Sequence, residues 1–232
     1  MILKDVPILD LRGIAVDRIA QIDRIENVRT VVLDPRNADA FMRVSRADVR
    51  SHIIVGDDEL LCTGQIEFDD VYLAGLPDRT ACVLLGQGLV DGFTSPLFFQ
   101  KVARLRIYGQ VLYSHAPSAG AVLARAERVQ GQLLPMAPNA RRWIGATHLD
   151  LDRLGMLQGE PVVSIGPITI DPDLTTADIS NGISTMTQIG EVKGREDLVC
   201  ALLSRCKVRL GTYSVSTEQT PAAPRTFRAV PV

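Results

Sequence analysis

Residues Ile107–Tyr113 read IYGQVLY, and three further stretches share the pattern: CTGQIEF (Cys62–Phe68), LLGQGLV (Leu84–Val90) and VQGQLLP (Val129–Pro135). Their central glycines are Gly64, Gly86, Gly109 and Gly131, spaced 22, 23 and 22 residues apart. Two places before each glycine stand Cys62, Leu84, Ile107 and Val129; two places after stand Ile66, Gly88, Val111 and Leu133. All are apolar or small. The place just before is mixed (Thr63, Leu85, Tyr108, Gln130), and the place just after is always glutamine (Gln65, Gln87, Gln110, Gln132). A period of two reads as a strand whose even positions face a core. Glycine at its centre marks a kink or a close backbone approach. A repeat near 22 residues is the period of a solenoid, in which each coil packs on its neighbours.

The segments between these strands carry helix signals. In TSPLFFQKVARL, Ser95 is a cap and Pro96 fits the first helical position; in APSAGAVLARAERV, Ser118 is the cap. VYLAGLPDRT reads as a strand and a turn. Upstream, Ile19, Ile22, Ile25 and Val28 recur every three residues, the mark of a helix face or 3₁₀-like turns, before the strand RTVVL and the stop Asp34-Pro35. Asn37 is a cap for the helix that follows, and Asn27 and Asp48 lie 21 apart. Downstream the phase breaks over MAPNARRWIGATHLDLD. It resumes at Gly166, Gly190 and Gly211, with the helix REDLVCALLSRC before a last strand KVRLGTYSV.

The expected fold is α/β: a single right-handed solenoid of about 22-residue strand-plus-short-helix repeats with a continuous parallel sheet. A right-handed parallel β-helix is the alternative. Residues 1–216 form the solenoid without an internal boundary, capped by Val16–Val28 and the helix Arg195–Cys206. Residues 217–232, rich in Pro and Ala, form a flexible C-terminal tail.

Composition narrows the function classes. The chain has 232 residues, 46% apolar and 22% charged, with a formal net charge of -2. Such a balance gives no general attraction to nucleic acid or anionic lipid. Cys62, Cys82, Cys200 and Cys206 include no CxxC spacing, so they read as small buried hydrophobes in a reducing compartment and not as a zinc site. The opening MILKDVPILDLRG lacks a secretory apolar core, and no stretch approaches the roughly 20 apolar residues of a membrane span. A soluble, cytoplasmic protein with no membrane partner is expected.

KVARLRIYGQVL resembles a leucine-rich repeat: Val102, Leu105, Ile107 and Leu112 take the apolar places. Gln110 replaces the asparagine that this family uses to bridge coils, and in the next copy Glu127 takes the second leucine place. ILKDVPILDLRG with IENVRTVVL is similar to a group of uncharacterised bacterial repeat proteins with solenoid-like coils and Gly-centred turns. The resemblance implies a solenoid architecture and no particular activity.

No reaction signature stands out, and no catalytic, cofactor-binding or metal-ligating residues are expected. His52, His115 and His148 share no ligand spacing, and GxSxG, GxxxxGK[ST] and GxGxxG are missing. Asp57-Asp58, Asp69-Asp70 and Asp150-Asp152 fit turn and cap chemistry. The four glutamines read first as a self-satisfying amide ladder. Arg106 and Arg128 share one repeat place and would stand side by side, unfavourably unless paired. The expected function is a non-enzymatic structural or protein-interaction scaffold. It presents Arg106, Tyr108, Gln110, Arg128, Gln130 and Gln132 to a protein partner or to a second copy, without nucleic acid. The alternative is a carbohydrate-binding or carbohydrate-active β-helix protein.

Overall fold

A computed structural model describes residues 1–90 and 95–216. The expected tail lies outside the described residues, as does the Ser95 side chain. The chain divides into two compact units: residues 1–111 with 117–132, and residues 112–116 with those from 133 on.

The first unit opens with strands β1 (Ile2–Asp10), β2 (Arg24–Leu33) and β3 (Ser45–Ile54), which form a parallel three-stranded sheet. Ile2 lies opposite Arg24 and Arg24 opposite Ser45, offsets of 22 and 21 residues. Next come β4 (Glu59–Phe68), β5 (Thr80–Val90), β6 (Val102–Tyr113) and β7 (Ala126–Val129), neighbours in that order, while β8 (Gln132–Pro135) also pairs with β6. Gly64 faces Gly86 across β4 and β5, and Arg106 faces Arg128 across β6 and β7.

In the second unit, strands come in pairs about a glycine turn. They are β9 (Arg141–Ile144) and β10 (Thr147–Leu149), β11 (Val162–Ile165) and β12 (Ile168–Ile170), β13 (Met186–Ile189) and β14 (Val192–Gly194), then β15 (Cys206–Leu210) and β16 (Tyr213–Val215). The odd-numbered strands make one parallel sheet and the even-numbered another. The expectation of one continuous sheet is corrected: the described strands fall into four sheets, and β3 is not laddered to β4 because the Val55–Asp58 turn redirects the chain.

Short helices follow the strands: α1 (Val16–Ala20), α2 (Ala38–Met42), α3 (Asp70–Ala74), α4 (Ser95–Lys101), α5 (Ala116–Arg125), α6 (Leu151–Leu157), α7 (Thr176–Gly182) and α8 (Glu196–Ser204). None is long and apolar enough to cross a membrane. Their brevity makes them marginal alone, so packing holds them. Ile179 of α7, and Leu198 and Leu202 of α8, close over Ile168, Ile170 and Val192 in a fully buried cluster.

The glycines explain the spacing. A Cβ added to Gly86 would overlap the carbonyl oxygen of Gly64; on Gly109 it would overlap that of Gly86, and on Gly131 that of Gly109. Each of these strands thus lays its backbone where the next would carry a side chain, and only hydrogen fits. Gly166, Gly190 and Gly211 stack likewise above Gly145. Gly145 belongs to the WIGATH segment, where the sequence phase looked broken. Short parallel strands flank it on either side.

In the first sheet the corresponding corner is taken by Asp5, Asn27 and Asp48, all at positive φ (60°, 49° and 55°). Asn27 Nδ2 donates to Asp5 Oδ1 at 2.9 Å. The Asn27 kink also corrects the three-residue reading of Ile19–Val28. Only Ile19 is helical; β2 starts at Arg24, and Ile25 and Val28 both reach the core because the chain turns between them.

Other boundaries shift for local reasons. VYLA is helix and not strand, since Asp69 caps α3 by accepting the Tyr72 N–H at 2.7 Å. Ser118 lies buried inside α5, whose first turn already holds Pro117. Asn37 occupies a cap position, but its amide serves the preceding coil, donating to Leu11 O at 2.9 Å and Ile14 O at 3.0 Å. Buried Asp34 completes that knot by accepting the N–H groups of Gly13 (2.9 Å) and Asn37 (3.0 Å). The Gly13 N–H, foremost, holds its carboxyl below the ordinary range.

Three outcomes follow from these contacts. Gly109→Ala lowers unfolding free energy in urea by about 3 kcal/mol. Gly120→Ala, in α5 with open space around it, is neutral or adds up to about 1 kcal/mol. Asp34→Asn loses about 2 kcal/mol near pH 7. A depressed folded pKa contributes stability above the unfolded value and loses it as pH falls through the folded one, so the gap to wild type closes in acid. Urea titrations of both proteins from pH 7 to 3 read it directly.

Candidate functional site

The glutamines that follow the stacked glycines form an amide ladder. Gln65 Nε2 donates to Gln87 Oε1 at 3.0 Å, and Gln87 Nε2 donates to Gln110 Oε1 at 3.2 Å. All amides point one way, so the ladder presents an oxygen at Gln65 and an N–H₂ group at Gln110. Gln132, the fourth glutamine, is exposed on β8.

Arg106 and Tyr108 stand just before this ladder on β6. Arg106 is half-buried, and its Nη2 pairs with the Glu59 carboxylate and donates to Ile54 O at 2.7 Å. Glu59 is itself nearly enclosed and accepts the Gly56 N–H at 2.7 Å, while Arg104 pairs with Asp58 at 2.9 Å. The two arginines therefore clamp the turn between β3 and β4. Tyr108 packs at the edge of a cluster formed by Val32, Ile53, Val55, Val83 and Leu85, which joins the first two sheets.

The Tyr108 ring lies 6.0 Å from the Arg106 guanidinium and 5.9 Å from that of Arg128. These are outer-limit cation–π distances, on one ring. The opposed arginines expected from the repeat are thus present in register, with Glu59 neutralising one. Arg128 is exposed, and Gln130 lies beside it; with its amide rotated so that oxygen takes the place of nitrogen, it would accept from Arg128 Nη2 and Nε.

Of the six expected partner-contacting residues, then, Arg106 and Tyr108 anchor an internal junction and Gln110 ends the ladder. Arg128, Gln130 and Gln132 face solvent. Sequence reasoning missed Asp58 and Glu59 as the acids that answer Arg104 and Arg106. Asp58 ends the turn before β4 and Glu59 begins β4, 46 and 47 residues from Arg104 and Arg106, and no local pattern links them.

The cysteines divide. Cys62 and Cys82 are buried on adjacent strands, with the Tyr72 hydroxyl 3.4 Å from Cys62 Sγ. Their mutual contact draws Cys62 down to about 7 and pushes Cys82 up, and the Tyr72 hydroxyl adds to the lowering at Cys62. A reactive thiol needs access as well as acidity, and this pair has none. Cys200 departs from the expectation of burial: it is exposed on α8.

His52 leans on Phe41, with ring centroids 5.6 Å apart, and His148 Nε2 lies 3.6 Å from Asp171. Asp150 caps α6 by accepting the Arg153 N–H at 2.8 Å. Among the described residues no three His, Cys, Asp or Glu side chains converge as a metal site. In comparisons with protein families, curated proteins and solved structures, the chain matches none.

Gln87 is the ladder's middle rung, both donor and acceptor. Gln87→Glu removes the donor toward Gln110 whenever the carboxyl is ionised, above roughly pH 4.3. Its cost at pH 7 is about 1–2 kcal/mol, and it shrinks in acid as the protonated acid donates again. Paired urea titrations at the two pH values test this.

Proposed function

We propose that this chain is a non-enzymatic scaffold that binds a protein partner through the repeat face bearing Arg128, Gln130 and Gln132. In this reading the strands and short helices form right-handed solenoid coils, leucine-rich-repeat-like in the first unit. The strand–glycine–strand pairs of the second unit favour the parallel β-helix variant of the same plan. Support for the architecture comes from parallel strands offset by about 22 residues and from stacked glycines.

The observation that carries the binding role is the contrast within one repeat row. Arg106 is neutralised by Glu59, whereas its register partner Arg128 is exposed, stacked on Tyr108 and flanked by Gln130. An arginine pre-arranged over an aromatic ring is a common interface anchor. The next exposed side chain, Gln132, and the N–H₂ end of the ladder at Gln110 extend the polar line. A carbohydrate-active β-helix would need acids on the sheet face, and here Asp69 and Asp150 cap helices instead.

The double variant Arg128→Glu/Gln132→Glu leaves thermal unfolding within about 0.5 kcal/mol of wild type, since both side chains are exposed. Partner recovery on the immobilised full chain drops by about tenfold or more. A folded double variant that holds its partner as tightly as wild type removes this face from consideration.

A further inference from the structure

The final coil of the second unit differs from those before it. Along the even-numbered strands one inward row runs Thr147, Ile168, Val192, Tyr213, and the next runs Leu149, Ile170, Gly194, Val215. The first three members of each row are buried, but Tyr213 is 58% exposed and Val215 is 42% exposed. Both stay exposed although α8, the expected cap, lies against β15 and β16. β15 and β16 each end their sheet, with one edge paired to the preceding coil and the other open among the described residues.

The opposite end of the chain is blunted. β1 carries Pro7, which lacks an N–H, and Asp5 in the left-handed region. Such features discourage strand addition. β15 and β16 contain no proline and no non-glycine residue at positive φ.

Charge selects the occupant. Arg205, Lys207 and Arg209 cluster at this edge, and none has a carboxylate within ion-pair distance among the described residues. The Arg209 guanidinium rests 5.9 Å from the Tyr213 ring and follows Gln188 in register. A second copy paired antiparallel about Val208 would set Lys207 against Arg209, a like-charge clash. The chain's own residues 217–232 hold one acid, Glu218, against Arg225 and Arg228, so their sign is also wrong.

We infer that the open edge of β15 and β16 is a strand-addition site for an extended segment of another protein in which apolar and acidic residues alternate on either side of a glycine, the residue that can stack on Gly211. Main-chain hydrogen bonds continue the parallel stack, apolar side chains cover Tyr213 and Val215, and a carboxylate meets Arg209. This surface is separate from the Arg128 face, so either can fail without the other.

Fluorescence anisotropy on the full chain tests it with three labelled, end-blocked peptides. One alternates Glu and Val on either side of a central Gly, one alternates Lys and Val about the same Gly, and one is the Glu–Val peptide with prolines at two valine places. The Glu–Val peptide binds saturably and the Lys–Val peptide does not. Proline substitution weakens binding by about tenfold or more, as do Arg209→Glu and Tyr213→Ala in the chain, both at exposed positions. No saturation by about 1 mM Glu–Val peptide overturns the assignment. Equal binding of the proline peptide does so as well, since that is charge attraction without strand pairing. So does a concentration-dependent mass in sedimentation that Tyr213→Ala abolishes, because a second copy then owns the edge.

Discussion

Outside the first sheet, the strands hang on one close approach: a glycine carbonyl lying where the next glycine in the stack would otherwise carry a Cβ. That approach admits no side chain, so it sets which residues can occupy the corner and how the strands on either side align. The glutamine after each glycine is placed by the same register, which is why Gln65, Gln87 and Gln110 meet amide to amide. Packing then settles the rest, since helices of five to ten residues have little stability of their own.

The first sheet solves the same corner differently. Asp5, Asn27 and Asp48 accept a left-handed backbone that most side chains resist, and an Asn–Asp hydrogen bond ties two of them across strands. Asp34 and Asn37 do comparable work a few residues later by binding the backbone of the preceding coil. Polar side chains in this half of the first unit thus take the role that bare backbone takes in the other half. The two solutions meet at the Val55–Asp58 turn, where Arg104 and Arg106 hold the acids of the turn onto the second sheet.

Much of this was legible in the sequence, and the failures have physical causes. The period of two around each Gly-Gln pair gave β4, β5 and β6 directly, and Gly166, Gly190 and Gly211 marked the later coils. Gly145 was overlooked because β9 opens with Arg141-Arg142 where β11 has Val162-Val163, so the apolar lead-in that marks Gly166 is missing. Ile25 and Val28 imitated a helix because a kink, invisible in composition, brought both to one side. The breaks between sheets were hidden for another reason: a regular spacing of strands survives when the chain turns, so spacing alone cannot report continuity. For the candidate face, the repeat correctly set Arg106 opposite Arg128, while the acid that silences Arg106, Glu59, stands where β4 leaves a turn with no repeat of its own.

The strand offsets hold one more consequence. Val162 meets Met186 after 24 residues, Arg141 meets Val162 after 21, and Ile2 meets Arg24 after 22, yet the corner stays aligned. The surplus is taken up between strands, on the side where the helices lie. A lineage of such chains could gain or lose residues there one at a time, while at the glycine corner it could change only by whole coils. The helical flank is therefore where length can drift, and the glycine corner is the ruler against which it drifts.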